Sequence, residues 1–301
     1  MQLVVLAAGR GQRFGGLKQL AAVGPNGEVI MDYTVAAAYR CGYESVVVIV
    51  REEIREEIAS HIRRCWPSEL PVELVCQPPV PGTAQAVYAA RPAIHGPFGV
   101  ANADDLYGDH AIGALMGHFE PDGVSEAPSD AQRHVLVAYG LSHTVLNNRP
   151  LTRGLCEVDE DQRLTAIAEH VVSLREDGQF DCRPLPSNDP HAARHLEELA
   201  PKVLAGDELT SMNLWGFHPR MLEHLGTALE HFDLETAARE LLLPDVVGKV
   251  VASAEDEVQV TTTTSRCIGL TSRDDLAVVR EELGFAAARA ATGSPETAPA
   301  I

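Results

Sequence analysis

The stretch Leu6-Ala7-Ala8-Gly9-Arg10-Gly11-Gln12-Arg13-Phe14-Gly15-Gly16-Leu17-Lys18-Gln19 follows an apolar run, Leu3 to Leu6, that reads as a strand. Its small residues and glycines let backbone N–H groups approach an anion closely, because no Cβ stands in the way. Three cations, Arg10, Arg13 and Lys18, lie on the same stretch, and such a cradle suits a triphosphate. Two other phosphate loops are excluded by counting. The dinucleotide fingerprint requires glycine where Phe14 stands, and the P-loop requires Lys and then Ser or Thr directly after its last glycine, whereas Leu17 follows Gly16. The lysines of this arginine-rich chain are Lys18, Lys202 and Lys249, so a compact point charge is kept in the loop where a planar fork is used nearly everywhere else.

Outward from this loop, the first half alternates strand and helix. Strands are expected at 2–6, 45–50, 72–76 and 98–101, and helices at 32–41, 52–64, 84–90 and 109–118. The strands are apolar rather than alternating, which implies an α/β fold with a doubly wound, mostly parallel sheet covered on both faces. Such sheets bind ligands beyond the carboxyl ends of their strands. The second half is less regular. Strands are expected at 135–139, 152–158, 164–170, 213–217 and 258–263, in a mixed extension of the sheet, with helices at 219–229, 234–242 and 273–282. Residues 120–133 and 175–195 read as loops. The expected organisation is one domain over 1–285, with a nucleotide-binding half at 1–118 and an acceptor half at 135–285, then a disordered tail at 286–301.

The pattern L-A-A-G-x-G-x-R-F-G-x-x-K-Q resembles the signature of the nucleoside-triphosphate transferases, the sugar-nucleotide pyrophosphorylases and their relatives. The resemblance implies a nucleotide-diphospho-sugar-transferase-like, Rossmann-like fold. It also implies transfer of an NMP group from an NTP to a phosphorylated acceptor such as a sugar 1-phosphate, with release of pyrophosphate. Arg13 and Lys18 would then be catalytic, and Leu6, Ala7, Ala8, Gly9, Arg10 and Gly11 would cradle the nucleotide. The stretch from Gln77 through Gly82, Thr83 and Ala84 resembles the family's base-reading segment, and Asn102-Ala103-Asp104 its metal-binding aspartate. Asn102 would thus join the nucleotide site, and Asp104 would hold Mg²⁺, which prefers oxygen ligands and bridges phosphates. A helix cap is the plainer reading of Asp104 and Asp105. Tyr139, Gly154, Glu169 and Asn213 lie in segments resembling the acceptor pocket. His170 stands where sugar-specific relatives often carry Lys, and the family's second metal acid finds no match near Thr261–Thr264.

Composition agrees with a globular enzyme: 45% of the 301 residues are hydrophobic and 22% charged. A formal net charge of −19 argues against nucleic acid or an anionic membrane as partner. An anionic substrate must therefore be drawn in by a local positive spot. The six scattered cysteines read as reduced thiols of a cytoplasmic protein. A homo-oligomer is left open. Two rival readings are a glycosyltransferase, which would want Asp-x-Asp where Asn102-x-Asp104 stands, and a catalytically weak nucleotide-binding homologue. His191 and His195 have helical spacing without the Glu of a zinc protease and read as a solvated face, as does the Glu52–Glu57 run.

Overall fold

The computed structural model describes residues 1–11, 14–119, 131–145, 148–185, 202–237 and 239–291. Strands β1 (Gln2–Leu6), β2 (Ser45–Val50), β3 (Val72–Cys76) and β4 (Phe98–Asn102) pair in parallel in the order β4-β1-β2-β3. The apolar residues of β1, β2 and β4 are buried on both faces, as a sheet with helices on each side requires, while edge strand β3 is half-buried with Glu73 exposed. Leu3, Val5, Val46, Val48 and Val50 pack into one core, under α1 (Ile30–Arg40), α2 (Arg55–Cys65) and α4 (Asp109–Gly117). Their neighbours Val4, Leu6, Val47 and Ile49 pack on the opposite face, with α3 (Thr83–Ala89) and the later helices α5 (Met221–Glu230) and α6 (Leu243–Ser253). Each such side chain, fully buried, contributes roughly 1.5–3 kcal/mol. Asp32 ties α1 to α2: its carboxylate accepts from Val29 N (2.8 Å), His61 Nε2 (2.8 Å) and Trp66 Nε1 (2.6 Å).

The second half extends the sheet. Strand β11 (Leu209–Phe217) runs antiparallel to β4, to β6 (Arg133–Gly140) and to β7 (Leu151–Val158), and β12 (Glu257–Thr263) pairs in parallel with β6. Beyond β7 follow β8 (Leu164–Leu174), β9 (Phe180–Pro184) and β10 (Lys202–Leu204), all antiparallel. The sheet is therefore mixed, parallel in the first half of the chain and largely antiparallel in the second. Two short strands, β5 (Asp105–Leu106) and β13 (Ile268–Gly269), pair separately beneath the final helix, α7 (Asp275–Ala291).

Several boundaries differ from expectation. The described residues of 234–242 form no helix. Asp233 instead accepts from Glu235 N (3.0 Å) and Thr236 Oγ1 (2.9 Å), which closes a turn. The helix begins at Leu243, where Pro244 suits a first turn and Asp245 accepts from Leu242 N (3.0 Å). The expected loop at 175–195 contains β9, and α7 runs into the expected tail as far as Ala291. His191 and His195 lie outside the described residues.

Candidate active site

The fold brings three loops to one edge. Leu6 of β1 is paired with Asn102 of β4, and Val50 of β2 with Cys76 of β3. The glycine loop, the Asn102–Asp105 turn and the Gln77 loop thus leave neighbouring strands at their carboxyl ends. Gln19 Nε2 donates to Gly9 O (2.6 Å) and Arg51 Nε to Ala8 O (2.9 Å), so loop carbonyls are held from the protein side. Among the described residues none accepts from the N–H groups of Gly9, Arg10 or Gly11. Gly11 has φ +55°, and the Lys18 stem lies where its Cβ would be, 3.1 Å away. A side chain there would displace the lysine.

Lys18 Nζ forms an ion pair with Asp104 Oδ2, which joins the glycine loop to the end of β4. Both side chains remain partly open to solvent. Arg13, the other expected catalytic cation, lies outside the described residues. Arg51 was not legible as a site residue, because its position beside a glutamate-rich helix reads as a solvated face.

Asp105 is no helix cap; α4 begins after Gly108, whose backbone fills that position. Its carboxylate accepts from Asn102 Nδ2 (2.7 Å) and sits against Gly269, where any Cβ would come within 2.5 Å of Oδ1. Burial and the neighbouring Asp104 charge push it up to about 6. The two adjacent carboxylates thus differ: Asp104 faces the loop cation, while Asp105 is buried beneath it.

In the Gln77 loop the amide nitrogen donates to Val80 O (2.9 Å) and Gly82 O (3.3 Å), which leaves its oxygen as the outward group. Gly82 adopts φ +115°, and a Cβ there would collide with the Leu241 carbonyl. Thr83 Oγ1 accepts from Leu243 N (2.8 Å) and so caps α6 rather than standing free. Gly82→Ala is expected to lose about 2–4 kcal/mol of stability, from a disallowed φ and the backbone clash. Urea unfolding measures it, and a loss below about 1 kcal/mol would contradict this packing.

A cleft of about 320 Å³ opens beside Asn102 and Asp105, walled by Gly154, Glu169, Ser211, Asn213 and Ser272 among others. Asn213 has φ +58° in a bulge between Ser211 and Trp215 that breaks the β11 register and turns this segment toward the cleft. Gly154 leaves room for Glu169, whose Oε1 lies 3.3 Å from where a Cβ would stand. Tyr139, by contrast, is fully buried and donates to Tyr107 O (3.0 Å); it is a core strut and not part of the cleft wall. Tyr107 in turn donates to Met212 O (2.8 Å) and accepts from Asn102 N (2.9 Å), which ties the bulge to the end of β4. His170 is buried beside Ala168 O (2.8 Å), and the cleft is lined by Glu169 instead.

Burial raises the Glu169 carboxyl to about 7, from 4.5. The folded chain then binds this proton more tightly than the unfolded chain, so stability falls as pH rises through that interval. Glu169→Gln should therefore gain on wild type with rising pH, its relative Tm being roughly 2–4 °C higher at pH 8 than at pH 5. A pH-independent difference between the two melts would rule out this titration.

Residues 3–178 match the MobA-like NTP transferase domain, more than half of the chain. No curated protein sequence matches it. Among solved structures, the fold is similar to that of the inositol-1-phosphate CTP transferase from T. maritima, with TM-score 0.62 and 16% identity, covering 93% of each chain. It is also similar to a Bacillus anthracis protein assigned as a glucose-1-phosphate thymidylyltransferase, in complex with a sucrose, with TM-score 0.64 and 11% identity over 94% of each chain. At these identities the likeness establishes the fold.

Proposed function

Since the chain belongs to the MobA-like NTP transferase family, we propose that it transfers an NMP group from an NTP to a phosphorylated alcohol, such as a sugar or inositol 1-phosphate, releasing pyrophosphate. The observation that carries this reading is the juxtaposition of unengaged loop N–H groups with the Lys18–Asp104 pair, at the sheet edge where Asn102 and the neighbouring Asp105 line a cleft. An acceptor phosphate oxygen attacks the α-phosphorus in line, the P–O bond to pyrophosphate breaks, and its electron pair leaves with the pyrophosphate. Little covalent work falls to the protein; positioning and charge neutralisation dominate.

In this reading the Gly9–Gly11 backbone holds phosphate oxygens and Lys18 neutralises charge at the α-phosphate. Arg13 neutralises the departing pyrophosphate. Gln77 and Gly82 face the base, and Glu169 and Asn213 accept and donate to acceptor hydroxyls. The donor set also suits Mg²⁺, which, when bound, offsets phosphate charge. Asp104 would hold it, and a single carboxylate suffices because that ion keeps waters and takes phosphate oxygens. Among the described residues no three His, Cys, Asp or Glu side chains form a protein-only cage. No helix of the described residues is long and apolar enough to cross a membrane.

The test is a matrix of NTPs against sugar 1-phosphates, inositol 1-phosphate and other phosphorylated alcohols, read by pyrophosphate release. Turnover dependent on both substrates supports the transferase. Tight NTP binding without turnover in any pair would favour a binding protein instead.

A further inference from the structure

The glycine loop is held at its far end by a residue from the other end of the chain. Arg273, in the turn just before α7, donates through Nε to Phe14 O (3.0 Å) and through Nη2 to Gly15 O (3.3 Å). Its guanidinium also lies over the Phe14 ring, 5.5 Å from the centroid. Phe14 itself is buried in a small core with Val23, Ile30, Ile268, Leu270 and Val279, which unites the loop with β13 and α7. The turn is firm: Asp275 accepts from Thr271 N (3.0 Å) and Ser272 N (2.6 Å). From the acceptor side, Arg149 Nη1 donates to Ser272 Oγ (2.9 Å) in the same turn.

We propose that Arg273 is a positioning residue for NTP binding: it fixes Phe14–Gly15 so that the glycine loop is already shaped before nucleotide arrives. A loop lacking side chains gains close approach to phosphate at the cost of backbone freedom, since glycine loses more entropy on ordering than any other residue. Something must restrain it. Gln19 and Arg51 hold the Ala8–Gly9 end, and Arg273 holds the Phe14–Gly15 end. A planar guanidinium suits this task because its fork reaches two successive carbonyls at once, which a lysine ammonium does less well. Arg273 acts through the loop and is not assigned a contact with the reacting atoms.

This inference rests on the proposed transferase reading for its kinetic consequence, but its structural consequence stands apart. In the full chain without nucleotide, hydrogen exchange at the Phe14 amide, which donates to Gly11 O (2.8 Å), should quicken at least about tenfold in Arg273→Ala, with Arg273→Lys intermediate. Arg280→Ala is the control, since Arg280, on α7 itself, donates through Nη2 to Ala22 O (2.8 Å) and not to the glycine loop. It should leave the Phe14 amide near wild type. For whichever NTP the matrix shows to react, Arg273→Ala should raise KM about tenfold while kcat changes less than about threefold. Unchanged exchange in Arg273→Ala, or an equal effect from Arg280→Ala, overturns the positioning role. A fall in kcat with KM unaltered overturns it too, because it would place Arg273 in the chemistry. Should no NTP pair react, the exchange result still decides the role in shaping the loop, and the transferase reading alone fails.

Discussion

Lys18→Ala is expected to lower kcat/KM by roughly two to three orders of magnitude, the scale for removing one preorganised charge from a reacting phosphate. The fold should survive. The Lys18–Asp104 pair is partly open to solvent on both sides, so its loss costs on the order of 1 kcal/mol or less. Steady-state pyrophosphate release and a thermal melt measure the two effects separately. Near-normal turnover would remove the loop lysine from the mechanism. Lys18→Arg is the sharper variant. The lysine stem passes directly over Gly11 and ends at Asp104, a narrow course that suits an unbranched chain and a point charge. Arginine should recover little, and full recovery would show that any cation serves.

The second large effect is expected at the other end of that pair. Asp104→Asn keeps size and hydrogen-bonding capacity but removes a charge, and should cut activity at least about a hundredfold. Added Mg²⁺ or Mn²⁺ should restore part of the loss. Asp105→Asn provides the contrast. That carboxylate is buried, accepts from Asn102 and is already disfavoured as an anion, so a neutral amide there should keep activity within about tenfold. The reverse order, with the Asp105 variant dead and the Asp104 variant active, would reassign the site. Full activity in EDTA would remove the metal from the proposal altogether.

The parallel half was legible because β1 and β2 are buried on both faces and write themselves as apolar blocks, and β3 and β4 are short apolar runs between helical segments. Gln2–Leu6, Ser45–Val50 and Val72–Cys76 were read to the residue, and β4 runs one residue further than expected, to Asn102. In the second half β6, β7, β8, β11 and β12 were also anticipated, but the turn signals around β9 and α6 were present and unread. Asp177-Gly178 closes the β8–β9 hairpin, with Gly178 at φ +81° and Arg175 N donating to Gln179 O (2.8 Å). Pro244-Asp245 opens α6, yet the preceding apolar leucines drew the helix too early. The candidate site divides in the same way. Residues carried by a contiguous motif, from Gly9 to Lys18 and from Asn102 to Asp104, could be read directly. Arg51 and Arg273 could not, because they reach the loop through tertiary packing and their neighbours in sequence resemble ordinary surface. Tyr139 shows the opposite failure: a motif position whose hydroxyl is engaged in the core.

The pairing of β13 with β5, and of Arg273 with Phe14 and Gly15, also bears on how the molecule is made. Synthesis at about 5–20 residues per second separates the glycine loop from its restraint by roughly 250 residues, on the order of 10–50 seconds. During that interval the nascent chain holds the parallel strands but not the turn that completes the loop. On the proposed reading, the loop assigned to nucleotide is therefore completed late in translation, even though its residues are among the first to emerge. A released chain truncated near Thr264 should be open to protease at Phe14, and the full chain should be protected there.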